Sequence, residues 1–399
     1  MSMRCYFGSD FSTVHIRACV VIATGALTSI ASAQWSVTQL HVGPSPGSLA
    51  LAASTSGDQV GRSFGPDGLI SYRAMLWRGS AASAVQLHPA DGSFSSANAA
   101  HGSQQGGTVF KASGYRATIW SGTAASAEDL GPGEILAMSA GLQGGRVGNA
   151  AALWRGTAAS FVNLAPVNPN PGGAQFTASQ VLAVHGNRQV GSATQTITGF
   201  GDIERAAIWS GTAASYQPLP GPDPTNLSAT RATAISATQI VGNYIDFLED
   251  SNTALLWNAA TLEQTELRAP NATSTLAYGV DADRQVGSAK INNLQHASLW
   301  SGTTASWIDL HTFVPAEFSQ SVATSIAVSN STIDITGYGI LPSGEFRALL
   351  WSQPVPTPAG LAAFALAGVV CARRRRWRVS RVSSPGCRPP RNRLRRRPG

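Results

Sequence analysis

The chain has 399 residues, 43% hydrophobic and only 12% charged, with 41 glycines and 22 prolines. That apolar fraction can fill a core, which excludes global disorder, and low charge with many small residues suits short strands and turns more than long surface helices. The net charge of +7 comes from the ends: Arg4, Arg17 and the 12 arginines from Arg373 to Arg397 are 14 of the 28 basic residues, and Asp10 is one of the 21 acids, so residues 34–372 hold 14 basic against 20 acidic residues, a net −6. Such a body repels nucleic-acid phosphates.

Residues 1–33 read as a secretory signal peptide. Arg4 and Arg17 supply positive charge, Cys19 to Ile30 form an apolar stretch, and Ala31-Ser32-Ala33 gives the small-x-small cleavage pattern before Gln34. A short uncleaved anchor is the alternative. Cys5 and Cys19 fall in this leader, and Cys371 and Cys387 in the C-terminal segment. The central region therefore has neither a disulfide framework nor a thiolate metal site.

From residue 34 to 352 the sequence repeats. A strand-like pentamer ends in Trp77, Trp120, Trp154, Trp209, Trp257, Trp300 and Trp351, in copies such as Arg73-Ala74-Met75-Leu76-Trp77 and Arg347-Ala348-Leu349-Leu350-Trp351. The mean spacing of about 46 residues lies in the range of four-stranded propeller blades. After most of these tryptophans comes a turn with glycine, such as Arg78-Gly79 or Ser301-Gly302, where a hairpin needs positive φ. Ten residues after each of the first six stands a leucine: Leu87, Leu130, Leu164, Leu219, Leu267 and Leu310. A second signature precedes the pentamers, as in Asp58-Gln59-Val60-Gly61 and Asp283-Arg284-Gln285-Val286-Gly287. The Trp strands are apolar on both alternating faces, Met75 and Trp77 on one and Ala74 and Leu76 on the other, which suits stacked sheets.

The two ends of the repeat region complement each other. Gln34-Trp35-Ser36-Val37-Thr38-Gln39-Leu40 aligns with the strand after a pentamer, as in Ser306-Trp307-Ile308-Asp309-Leu310, while Arg347–Trp351 has no such strand after it. The expected fold is an all-β, seven-bladed β-propeller of four-stranded blades, closed by pairing Arg347–Trp351 with Trp35–Leu40 so that no sheet edge stays free. An open array is the alternative. Across residues 35–351 the repeat resembles the extracellular HAF repeat family, most closely at His296-Ala297-Ser298-Leu299-Trp300-Ser301-Gly302 followed by Trp307-Ile308-Asp309-Leu310. The resemblance implies an exported, propeller-like protein and no particular reaction.

Candidate chemistry is sparse. His15, His41, His88, His101, His185, His296 and His311 show no metal-ligand spacing, although His41, His88 and His311 share one blade position after the repeat leucine. That pattern reads as a repeated turn. Asp281-Ala282-Asp283 lacks the remaining oxygens of a calcium loop and reads as turn chemistry. Asp246, Glu249 and Asp250 form a solvated acidic loop. Gly141-Leu142-Gln143-Gly144-Gly145 opens no helix that could cradle a phosphate. No Ser/His/Asp grouping can be singled out along the chain. Seven of the ten tryptophans belong to the repeat core and Trp377 falls in the C-terminal tail, leaving Trp35 and Trp307 as the expected exposed aromatics.

Beyond the repeat, residues 353–376 combine Val355-Pro356-Thr357-Pro358, an apolar run from Ala359 to Ala372 and Arg373–Arg376. As a helix the run is about 21 Å long, shorter than a hydrocarbon core of roughly 30 Å, and the arginines would remain cytoplasmic. The order of parts resembles the PEP-CTERM protein-sorting signal, with Thr357 where that signal usually has Glu and with a basic, unfolded tail, 377–399, beyond its usual end. A plain single-span anchor is the alternative. The expected protein is exported and displayed at the cell surface, with no catalytic, cofactor-binding or metal residue assigned. Its role is structural, adhesive or interactive in the envelope or extracellular matrix. Expected partners are a sorting protease, envelope polysaccharide or other surface proteins, and the membrane through 359–372. The alternative is a carbohydrate-binding, or polysaccharide-cleaving, propeller that uses its central funnel or the loops at 167–174 and 220–226. Convergent carboxylates about 5–10 Å apart in the funnel would favour cleavage, and an Ala/Ser/Thr lining the non-catalytic reading.

Overall fold

A computed structural model describes residues 34–355 except 66–67, 169–174, 198, 224–227 and 248–250. The leader, the apolar run, the arginine cluster, the basic tail, Glu249 and Asp250 lie outside the described residues.

The described strands form seven four-stranded antiparallel sheets arranged as propeller blades. Blade 1 runs from the innermost strand Ser48–Ala53 through Gln59–Gly65 and Gly68–Trp77 to the outermost Val85–Gln86. Blades 2 to 6 repeat this order at 94–132, 134–163, 176–218, 229–267 and 272–309. Blade 7 takes three strands from the C-terminal end, Gln320–Val328, Thr332–Ile340 and Phe346–Pro354, and its outermost strand, Ser36–Gln39, from the N-terminal end. Val37 stands opposite Trp351 and Gln39 opposite Leu349, so the ring closes where the sequence ends complement each other. The last strand continues to Pro354, two residues past the expected boundary at 352, and Val355 N–H donates to Ser331 O at 2.8 Å.

Each interface between blades is built around one repeat tryptophan. Trp77 packs with Met75, Leu40, Ala348 and Leu350 between blades 7 and 1, while Ala74 and Leu76 on the other face pack with Trp120 and Ala97 of blade 2. All seven are 0–1% exposed, so the two-faced apolar pattern belongs to sheets buried on both sides. Leu87, Leu130, Leu164, Leu219, Leu267 and Leu310 are 0–3% exposed, and Leu40 supplies the seventh copy. The expectation of exposed rings at Trp35 and Trp307 is corrected. Trp35 is 7% exposed within the core of blades 6 and 7, and Trp307 is half-buried with its Nε1–H donating to Ser298 Oγ at 3.0 Å. The position varies in sequence because it packs at the blade's edge, where several side chains fit.

The glutamine of the Gln-Val-Gly signature joins the two turns at one end of a blade. Gln285 Oε1 accepts the Gly302 N–H at 2.8 Å, and its Nε2–H donates to Asp283 O at 2.9 Å. Gln59, Gln105, Gln143 and Gln189 hold the glycine after their own tryptophan in the same way, at 2.7–2.8 Å. In Gln59, Gln105, Gln189 and Gln285 the Nε2–H also holds the preceding turn, so the buried amide fixes both, whereas Gln143 Nε2 is buried without a partner. The turn after the tryptophan is itself a 3₁₀ turn closed by a serine: Ser306 Oγ accepts the Ser301 N–H at 2.7 Å and donates to Thr303 O at 2.6 Å. Among the described residues no helix is long and apolar enough to cross a membrane.

Candidate functional site

The seven innermost strands line a central channel with a cavity volume of about 270 Å³. Each carries a β-bulge at the same height, for example between Ala50 and Ala52 or between Ala277 and Gly279. The bulge adds a residue that no partner opposes and bends the strand. The extra residues are Leu51, Leu136 and Leu182 in blades 1, 3 and 4, and Asn98, Thr233, Tyr278 and Thr324 in the others. Three of the polar ones tie neighbouring blades together: Asn98 Nδ2–H donates to Ile135 O at 2.8 Å, Thr233 Oγ1–H to Ala277 O at 2.8 Å and Thr324 Oγ1–H to Ala50 O at 2.9 Å.

The channel lining consists of three residues from each blade, chiefly Ala, Leu, Val, Ile, Thr and Ser, and includes no carboxylate, histidine, lysine, arginine or cysteine. Its one titratable side chain is Tyr278, whose phenol pKa is pushed up to about 12 by burial. The lining therefore offers neither a proton donor near neutral pH nor a nucleophile activated by a base.

Ionisable groups gather at the other end of the blades, where the long connections between them emerge. Arg146 reaches Glu134 at 2.8 Å, and Arg231 reaches Glu204 across the blade 4–5 boundary at 2.7 Å. Both oxygens of Glu204 are engaged, Oε1 by Arg231 Nε–H at 2.9 Å and Oε2 by Nη2–H at 2.7 Å. A carboxylate held at both oxygens by a guanidinium has no free oxygen with which to protonate a leaving group. At the same end an aromatic row runs from Tyr338, Phe346 and Phe64 to Tyr72, Phe94, Phe110 and Tyr115, with ring centroids 4.6–6.1 Å apart within its two groups. Arg62 lies over the Tyr72 ring at 4.8 Å. Neither Arg62 nor this row stood out in the sequence.

The histidines stand where a repeated turn would place them. His41, His88 and His311 each set Nδ1 2.8–3.0 Å from a serine of the next innermost strand, Ser48, Ser95 and Ser321. Each serine Oγ already accepts a backbone N–H from a Trp strand, that of Ala348, Ala74 or Ala297, so its own proton is free to point at the ring. A neutral imidazole accepting at Nδ1 fits this network. Burial, the largest cause at all three, lowers their pKa values below 6.5. Their neutral form thus favours the fold, a contribution intact above about pH 6.5 and lost as pH falls through the lowered folded values. The melting temperature is expected to drop between about pH 7.5 and pH 5, and replacing all three with Gln is expected to flatten that drop. An unchanged slope in the triple variant would contradict the assignment. His296 Nδ1 lies 2.9 Å from Asp309 Oδ2 and its ring is 4.5 Å from that of His311, yet among the described residues no group of three or more His, Cys, Asp or Glu could hold a metal ion. Asp281 serves its turn, accepting the N–H of Ala282 and of Val328 in the next blade, both at 2.8 Å.

No family model matches the sequence, and no curated protein matches it. Similar solved structures include a protein of unknown function from Dyadobacter fermentans, 9% identical with TM-score 0.44, covering 82% of this chain and 100% of that one. The β-propeller domain of the Trilobed protease from Pyrococcus furiosus is 7% identical with TM-score 0.47, covering 78% and 98%. TolB from Acinetobacter baumannii is 9% identical with TM-score 0.38, covering 72% and 77%. None of these transfers an activity. The blades and their closure define the chain as a seven-bladed β-propeller.

Proposed function

We propose that this chain is an exported propeller displayed at the cell surface, with a non-catalytic, structural or interactive role in the envelope or its matrix. The observation that carries the reading is the channel lining, whose side chains contain no carboxylate pair and no base. The signal-peptide pattern at 1–33 and the Pro, apolar and Arg order at 353–376 support export and C-terminal sorting. In this reading 359–372 holds the chain in the membrane until a sorting protease acts. Intact mass of the protein recovered from envelope and medium tests it. Loss of residues 1–33 together with the segment after about Val355 is the expected result. A membrane-bound species that keeps the arginine tail would leave an ordinary anchored ectodomain instead.

Carbohydrate binding is the second reading. It is favoured by the aromatic row, whose Tyr115 is 48% exposed.

A further inference from the structure

The aromatic row contains a cation that the fold leaves unpaired. Register makes this visible. In blade 3 the innermost strand places Glu134 directly opposite Arg146 of the second strand, and the two form an ion pair. In blade 1 the same register places Leu49 opposite Arg62. Each arginine follows the signature glycine of its blade, Gly145 or Gly61, so the two positions are equivalent. Arg231, at the same level on the innermost strand of blade 5, has Glu204. Among the described residues Arg62 has no ion pair, and its Nε is buried without a hydrogen-bond partner.

A desolvated guanidinium stays charged and is costly without a counter-charge. The Tyr72 face offsets part of that cost, and burial lowers the group's proton affinity while the nearby Tyr72 and Tyr338 act in the opposite direction. What remains is an arginine with an unpartnered Nε–H, set against Tyr72, whose ring adjoins Phe94 and through it Phe110 and Tyr115, and near Tyr338, whose ring adjoins Phe346 and through it the buried Phe64. A guanidinium recognises a carboxylate through two parallel hydrogen bonds, aromatic faces accept the C–H face of a pyranose, and phenol hydroxyls bond sugar hydroxyls.

We propose that Arg62 and the adjoining aromatic row form a binding site for an acidic polysaccharide, with the guanidinium taking the carboxylate of a uronic-acid unit. The site specifies a partner for the surface-display reading and rests on it. Binding is measured on purified protein, so a negative result leaves the export test untouched.

The experiment is calorimetric titration of the purified protein with a β-1,4-linked glucuronic acid tetrasaccharide, with cellotetraose as its uncharged counterpart and with inorganic sulfate. The acidic tetrasaccharide is expected to bind roughly tenfold or more tightly than cellotetraose, and Arg62→Gln to lose at least that factor. Leu49→Glu is the sharper variant. It installs the carboxylate that blade 3 has and should abolish binding by satisfying Arg62 internally, with a melting temperature no lower than that of the parent. Equal binding of both tetrasaccharides, or unchanged binding by Leu49→Glu, would overturn the proposal. Sulfate binding as tight as that of the acidic tetrasaccharide would overturn the sugar assignment, because the aromatic faces would then contribute nothing.

Discussion

Gly287→Ala is expected to cost about 3 kcal/mol or more, lowering the melting temperature by roughly 6 °C or more. An added Cβ would lie 1.8 Å from Leu276 O, 2.8 Å from Leu276 C and 2.9 Å from Ala277 Cα. These are backbone atoms of the innermost strand, held in place by the bulge one step further on, so no side-chain rotation relieves the clash. Gly61, Gly107, Gly145, Gly191, Gly242 and Gly337 meet the same obstacle, each with a carbonyl oxygen 1.8–2.0 Å from the added carbon. The signature glycine is therefore a packing requirement set by the bulge. Gly302→Ala is the comparison that isolates this cause. Gly302 adopts φ +80 in open space, so alanine there meets only the left-handed strain of about 1 kcal/mol. Urea or thermal melts that place the two variants within a degree or two of each other would remove close approach as the reason for the signature.

The residues that were legible in the sequence do the same job in every blade. Trp300 fills an interface, Leu310 anchors the outermost strand and Gln285 holds two turns, and none of these roles depends on what lies beside it. Uniform roles leave uniform letters. The Ser/Thr-Ala/Thr-Ala-Ser run after each turn glycine, as at 123–126 and 303–306, was equally regular, but its meaning as a 3₁₀ turn emerges only from the bonds of Ser126 and Ser306. The innermost strands were the opposite case. Their bulged position opposes no partner residue and accepts Leu51, Asn98, Thr233 and Tyr278 alike, so no pattern marks it. The Arg62 site was hidden for a related reason. Arg62 and Arg146 look equivalent along the chain, and what separates them is whether Leu49 or Glu134 stands across the register, a difference of one cross-strand partner.

Deleting Trp35–Leu40 from the chain is expected to destabilise the whole ring and make it prone to aggregate. The segment supplies the entire outermost strand of blade 7, four paired residues from Ser36 to Gln39, and Leu40 N–H donates to Ala348 O at 2.8 Å. It also buries Leu40 completely and Trp35 to 7% exposure, in the two interfaces that flank the closure. Losing one large aliphatic and one large aromatic side chain from packed cores costs roughly 5 kcal/mol or more. The exposed edge that remains, Phe346–Pro354, is nine residues long and contains Ala348-Leu349-Leu350-Trp351, a template for pairing with a second copy. Light scattering during a thermal melt would register both effects. The complementary variant locks the same seam. Ser36 and Ser352 are register partners, so Ser36→Cys with Ser352→Cys places two thiols at a separation that a disulfide can bridge. All four native cysteines lie outside residues 34–355, so no described thiol competes for the bond. Closing a loop of this length is worth up to roughly 5 kcal/mol in the chain-entropy model, so the oxidised variant should melt well above its reduced form. If the deletion melts like the parent and oxidation of the double-cysteine variant changes nothing, the ring does not depend on its seam, and each blade interface must be stable without closure.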